Sequence, residues 1–249
     1  MSGPIVLHGG GEFESGDEPC VSAVVALGAA QAGHQRAIRV AVVPTATARW
    51  SPERSAAHAV AGFRRAAADE GLTIDAEAVM IVDGASAADE GLARRLAEAD
   101  VIAFPGGDPD VIVSVMRKSP AWAAVTRAHE AGAILFGASA GAMALARWTW
   151  TPNGGVKGLG LVPGLVVVPH ADAASWDATV QRFGGSAPAG LGGLGLAERT
   201  AAITDDASVD PVRWRVVGQG EVRWLPALGG QTEVFRSGDT FATPGRVRP

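Results

Sequence analysis

The sequence predicts an α/β fold built on a doubly wound, largely parallel sheet. Three observations carry this. Apolar strand-like runs alternate with helix-like stretches from the N-terminus to about residue 147, the signature of successive β-α-β units. Glycine turns such as Gly9-Gly-Gly11 and Gly106-Gly107 follow several of those runs. Finally, Ile134-Leu-Phe-Gly-Ala-Ser139-Ala-Gly-Ala-Met143 takes an apolar strand through a tight Gly-x-Ser-x-Gly turn into an Ala-rich helix. A chain of 249 residues fits one large or two small domains, and the unbroken alternation, without repeat or linker, favours one domain over 1–249.

The strands are expected at Pro4 to Leu7, Ile38 to Val43, Ile74 to Val82, Asp100 to Phe104 and Ala133 to Phe136. Between them, a helix from Cys20 to Ala32 closes near His34, Ser51-Pro-Glu53 opens a second, and Ser86-x-x-Asp89 opens a third as a capping box. Asp108-Pro109 places an N-cap acid before a first-turn proline. Beyond the elbow helix, Trp148 and Trp150 flank Thr149, so in an extended segment both rings face one way. They either line a pocket near Ser139 or, the commoner use, sit in the core or on a dimer surface. Asp172 reads as the cap of a helix from Ala173 to Phe183. Pro211 to Val217 and Glu221 to Leu225, parted by Gly218-Gln-Gly220, read as a C-terminal antiparallel hairpin, and the tail from Gly229, ending Thr243 to Pro249, as loop.

Composition bounds the function. Apolar residues make up 47% of the chain, enough for a sizeable core, and the net charge of −5 with interspersed signs offers no basic face for nucleic acid. No apolar run approaches the ~18 residues that span a bilayer, so no membrane partner is expected. Ile5-Val-Leu7 follows Met1-Ser-Gly-Pro4 at once, without a signal-like stretch, which points to the cytoplasm. Cys20 permits no intrachain disulfide and reads as a small buried residue, far from any His-Asp companion; no metal-ligand cluster and no cofactor motif stands out.

The elbow implies acyl transfer at Ser139, because such a turn exposes the hydroxyl and frees the next backbone N–H. A base is then needed. The five histidines are His8, His34, His58, His129 and His170; His58 and His129 fall in helical patterns, and His8 and His170 end strands. Leu7-His-Gly-Gly-Gly11 resembles the oxyanion signature of α/β-hydrolases, yet that fold orders its triad Ser, acid, His, and no acid lies between Ala140 and Pro169 while no His follows His170. If the base follows the serine, it is His170. Of the later acids, Glu198 stands at or just past a strand end, where positioning is easiest, with a surface pair to Arg199 as the competing reading. Ligands of such sheets gather at the carboxyl ends of strands, which brings Gly9 to Glu12, Thr45, Gly106 to Asp108 and Ser139 to one edge. The amides of Gly107 and Ala140 are the candidate oxyanion donors, and Gly10, Gly11, Gly106 and Asp108 the candidate substrate contacts. Glu12 and Arg49 project there as well, able to meet a charged peptide terminus.

With Ser139, His170 and Glu198 in that order, the chain resembles the serine peptidases that include cyanophycinase and aspartyl dipeptidase, whose fold is like that of class I glutamine amidotransferases. Gly9-Gly-Gly-Glu12, Val43-Pro-Thr-Ala46, Phe104-Pro-Gly-Gly-Asp108, the elbow, Pro169-His170 and Gly195-Leu-Ala-Glu198-Arg-Thr-Ala201 match family landmarks from about Ile5 to Ile203. The resemblance implies hydrolysis of short peptides or small amides, an acidic or isoaspartyl preference, and a Ser139, His170, Glu198 triad; related folds often pair, which opens the expectation of a homodimer. It also departs from the family. Val167-Val-Pro-His-Ala-Asp172 replaces the Asp-Gln-His-Phe and arginines of cyanophycinases, of which only Arg182 offers a counterpart, so cyanophycin is not the expected substrate. Gly-Gly-Asp108-Pro109 lacks the Gln that follows this Asp in cyanophycinases, and the acid that the aspartyl dipeptidases carry between serine and histidine is missing. A glutamine amidotransferase would need cysteine at position 139; a sensor domain on the same scaffold, or an esterase, are the remaining alternatives.

Overall fold

The computed structural model describes residues 2–33, 36–151, 154–184, 187–226 and 231–245. In chain order it forms β1 (Ile5–His8), α1 (Glu18–Ala32), β2 (Ile38–Val42), α2 (Pro52–Asp69), β3 (Ile74–Ala78), α3 (Gly84–Ala88), α4 (Glu90–Ala97), β4 (Val101–Phe104), α5 (Pro109–Met116), α6 (Pro120–Glu130), β5 (Ile134–Ala138) and α7 (Ala140–Leu145). Then come β6 (Ala146–Thr151), β7 (Gly154–Lys157), β8 (Val162–Val168), α8 (Trp176–Gly184), β9 (Gly192–Leu196), β10 (Thr200–Thr204), β11 (Val212–Gly218), β12 (Val222–Leu225), β13 (Glu233–Phe235) and β14 (Thr240–Thr243).

An eight-stranded sheet has the order β14-β11-β10-β1-β5-β4-β2-β3. Its β1, β5, β4, β2 and β3 are mutually parallel, as the repeated β-α-β pattern requires, and β10, β11 and β14 extend it antiparallel. The fold is thus α/β and doubly wound. Strand β1 shows the two-sided burial of a central parallel strand: Val6 packs with Val24, Phe63 and Phe136 under α1 and α2, while Ile5 and Leu7 face Ile102, Leu135 and the helices α3 to α7. The second layer is completed by a six-stranded sheet, β13-β12-β9-β8-β6-β7, whose Leu165, Val167, Leu194, Leu196 and Trp224 join Ile5 and Leu7 in one core.

Several expectations are corrected. The two C-terminal strands exist but do not form a hairpin: β11 pairs with β10 and β14 in the larger sheet, β12 with β9 and β13 in the smaller. The tail is not loop throughout, since β13 and β14 are strands on sheet edges; its residues 229–230 and 246–249, like His34, lie outside the described residues. Ser86 is not an N-cap. Asp83 caps α3 by accepting the Ser86 amide, Ser86 answers from the third helical position, and Asp89 caps α4. Strand β3 stops at Ala78, and Val79 and Ile81 enter the core from the following turn. Asp172 accepts the Ser175 amide and hydroxyl at 2.7 and 2.9 Å, which holds its carboxyl below the ordinary 3.8, and α8 begins only at Trp176. No helix of the described residues is long and apolar enough to cross a membrane.

Candidate active site

The carboxyl ends of β1, β5 and β4 lie side by side, so the Gly9 to Glu12, Ser139 and Gly106 to Asp108 turns meet at one edge. Ser139 is the hinge between β5 and α7. Its φ of 48° and ψ of −110° are unusual for a residue with a side chain, and its amide donates to the His8 carbonyl at 2.9 Å. The motif glycines have steric causes: a β-carbon on Gly137 would stand 2.8 Å from the Ala142 nitrogen, and one on Gly141 would stand 2.0 Å from the Phe104 carbonyl oxygen. Strand, turn and helix therefore fit only with those residues absent of side chains.

The structure brings Ser139, His170 and Glu198 together. Ser139 Oγ lies 2.9 Å from His170 Nε2, and His170 Nδ1 lies 2.9 Å from Glu198 Oε1. With the hydroxyl donating to Nε2, the ring proton stands on Nδ1 and points at the carboxylate. His170 follows β8 in the smaller sheet and Glu198 sits in the turn from β9 to β10, so the two sheets jointly build the cluster. The histidine and acid side chains are 50% and 52% exposed, open to an incoming ligand. The competing role for Glu198 is gone, because Arg199 pairs with Glu14 at 3.1 Å.

Around this cluster, Gly10 presses on the His170 ring: a β-carbon there would be 2.3 Å from Cε1, and one on Gly11 would meet Glu198 Oε2 at 3.6 Å. The Gly106 amide donates to Glu12 Oε1 at 2.8 Å, so it is not a free donor, and that carboxylate is thereby held close to Ser139. Asp108 caps α5 by accepting the Asp110 amide at 2.9 Å, and its other oxygen faces Arg49 at 3.4 Å. Thr45 is turned inward, donating to the Ile81 carbonyl. Trp148 is buried over Gly155 of β7, a packing role in the smaller sheet.

One expectation about cysteine is overturned. Cys20 does have His and Asp companions: donor atoms of His8, Asp17 and Cys20 all lie within 4.8 Å of one another, fully buried. Asp17 stands nine positions after His8, and the return of the glycine loop brings them together. The signal available in the sequence was Asp17 ahead of Glu18-Pro19, a helix start whose cap is needed elsewhere.

Among solved structures, the chain is similar to a peptidase from an acI-B1 Actinobacterium, at 21% identity over 98% of each chain and a TM-score of 0.79. It is also similar to a candidate peptidase E protein from Listeria monocytogenes EGD-e, at 14% identity over 95% of this chain and 99% of that one, with a TM-score of 0.52. At these identities the likeness establishes the fold. No curated protein matches the sequence. The profile of Peptidase family S51 matches residues 5–212, a span that holds β1, the elbow, His170 and Glu198. By that match this chain is a peptidase and belongs to peptidase family S51.

Proposed function

We propose that the protein is a serine peptidase that hydrolyses short peptides or related small amides through Ser139, His170 and Glu198. The observation that carries this is the unbroken hydrogen-bonded chain from Ser139 Oγ through both His170 nitrogens to Glu198 Oε1, each link 2.9 Å. In the proposed cycle Ser139 Oγ attacks the carbonyl carbon while His170 Nε2 takes the hydroxyl proton. The tetrahedral oxyanion is met by the amides of Gly107 and Ala140. His170 then passes the proton to the leaving amine, the carbon–nitrogen bond breaks, and an acyl-enzyme remains. Water attacks it, giving a proton to His170 that returns to Ser139 Oγ. Glu198 orients the ring and supports its charged form.

Gly10, Gly11, Gly106 and Asp108 form the substrate floor in this reading. Glu12 and Arg49 supply opposite charges at the rim, for a terminal ammonium and for a carboxylate respectively, and the acidic or isoaspartyl preference is assigned to Arg49. One domain over 1–249 is part of the same proposal, supported by a cluster drawn from both sheets. The test is a small fluorophosphonate followed by mass. Labelling abolished by both Ser139→Ala and His170→Ala supports the reading and justifies a dipeptide library with and without acidic first residues. A folded wild type that resists small and larger probes alike overturns it.

A further inference from the structure

The stretch His8-Gly9-Gly10 touches every segment that carries a member of the cluster, through consecutive backbone carbonyls. The Ser139 amide donates to the His8 carbonyl at 2.9 Å, the His170 amide to the Gly9 carbonyl at 2.9 Å, and the amide of Arg199, next to Glu198, to the Gly10 carbonyl at 2.8 Å. All three donors have a positive φ, of 48°, 54° and 52°, uncommon in residues with side chains. Left-handed backbone in residues with side chains persists only where the surroundings over-determine it. Three successive carbonyls on one short strap are such a surrounding.

The strap itself is shaped by two fully buried side chains. His8 Nδ1 accepts the Gly10 amide at 3.2 Å, His8 Nε2 donates to Asp17 Oδ1 at 2.7 Å, and Asp17 Oδ2 accepts the Phe13 amide at 2.8 Å. Residue 17 occupies the N-cap of α1, where an aspartate ordinarily accepts an amide of its own helix, yet it makes no side-chain cap bond. Its oxygens are turned to the loop. Cys20 closes the cluster, its Sγ 3.5 Å from the Val217 carbonyl; burial and then the neighbouring Asp17 push its thiol far up and keep it neutral. A cation on His8 Nε2 would drive the ring proton to Nδ1, against the Gly10 N–H. The three side chains therefore form a hydrogen-bonded pair with a neutral thiol beside it, not a metal site.

We propose that His8 and Asp17 are a positioning pair for the chemistry at Ser139: together they lock residues 8–13 in the shape whose carbonyls register Ser139, His170 and the Glu198 turn. This rests on the serine peptidase reading given above. The pair touches no reacting atom and acts through the strap.

The experiment compares wild type, Asp17→Asn, His8→Leu and His8→Asn. Fluorophosphonate labelling is resolved into a saturation constant and a maximal rate, and amide hydrogen exchange is followed over 8–13, 137–141, 168–172 and 196–200. Asp17→Asn has the same shape, but its carboxamide cannot accept both the His8 and the Phe13 protons on separate oxygens. Asp17→Asn and His8→Leu are expected to lower the maximal rate about 10- to 100-fold, with the saturation constant changed less than about threefold, as for a small misplacement of reacting groups. His8→Asn keeps an acceptor near the place of Nδ1 but has no donor at the place of Nε2, so it is expected to lose labelling nearly as His8→Leu does, and wild-type labelling of His8→Asn also overturns the proposal. Should His8→Leu not fold, Asp17→Asn and His8→Asn decide. Labelling of Asp17→Asn at the wild-type rate overturns the proposal, as does a loss confined to the saturation constant or a uniform rise in exchange across the sheet. If the wild type is not labelled while exchange in Asp17→Asn rises only in the four segments, the strap function stands and the serine chemistry falls.

Discussion

A β-carbon on Gly10 would stand 2.3 Å from Cε1 and 2.8 Å from Nδ1 of His170, and the residue's φ of 116° is itself closed to side chains. Gly10→Ala is therefore expected to displace the imidazole and cut fluorophosphonate labelling about 100-fold or more, with a far-ultraviolet spectrum like that of wild type. Gly11 is the control. Its φ is 69°, but the nearest atoms to an added β-carbon lie at 3.4 Å and beyond. Gly11→Ala should thus cost about 1 kcal/mol of stability, read in a urea melt, and lower labelling by a smaller factor than Gly10→Ala; a Gly10→Ala protein that labels at the wild-type rate would mean that the ring contact is irrelevant. Glu198→Gln tests the acid. Loss of a triad carboxylate's charge costs roughly 10⁴ where that acid is buried, but Glu198 and His170 are each about half exposed and water screens them, so a fall of about 10- to 100-fold is expected. At this scale the candidates Ser139 and His170 were legible because motif and chain order restrict the choice, while Glu198 was picked from several later acids by its place at a strand end and by the family resemblance. Asp17 was not, because its partners come to it only through a loop whose path no periodicity encodes.

Elements were legible where each announces its own start or faces. Helix α5 was announced by Asp108-Pro109; α6 begins in the same way at Ser119-Pro120, a start not read from the sequence, and in each the capping side chain accepts a first-turn amide. Ser119→Ala removes the acceptor of the Trp122 amide, and is expected to cost about 1 kcal/mol, or 2–4 °C in Tm by calorimetry for a chain of this size. An unchanged Tm would show that water replaces the cap. The central parallel strands β1, β4 and β5 were equally plain, because burial on both faces leaves short continuous apolar runs, whereas edge strand β3, Ile74-Asp-Ala-Glu-Ala78, is half exposed and ends short of the expected Val82. Partnership was another matter. Val212, Trp214 and Val216 alternate inward on β11, as do Val222 and Trp224 on β12, and this alternation identifies two strands with one buried face each. It says nothing of who pairs with them, and a close glycine turn invites the local answer. In the fold β12 instead lies against β9 and β11 against β10, so consecutive strands part into different sheets. Edge strand β14 was hidden for the complementary reason: only Phe241 and Thr243 are buried, too few to mark a pattern.

Across the whole molecule, Ser139 follows a strand of the larger sheet, His170 one of the smaller, and Glu198 rides the turn that joins them. On the proposed reading activity requires both sheets in register, and fluorophosphonate labelling should disappear in urea together with the intrinsic tryptophan fluorescence, to which buried Trp214 of the larger sheet and Trp148 and Trp224 of the smaller contribute. Labelling that vanished well before the fluorescence changed would show the sheets coming apart first. Acid challenges the same assembly at a different place. His129 is buried where α6 turns into β5; its Nδ1 donates to the Ala133 carbonyl at 3.1 Å and its own carbonyl accepts the Gly3 amide. Burial holds its pKa below the ordinary 6.5. Above that value the residue is neutral in both folded and unfolded chains. As pH falls below 6.5 the unfolded chain takes up a proton that the folded chain refuses, so stability declines from there down to the lowered folded value. Asp206, whose carboxyl is held below 3.8 by the Ser208 hydroxyl and amide, acts in the same direction but only at more acid pH, once unfolded carboxylates protonate. The two windows separate the groups. Urea midpoints measured between pH 7 and 5 should fall for the wild type and stay level for His129→Asn, which keeps a donor for Ala133 and removes the titration; a parallel fall in both would assign this acid lability to another group.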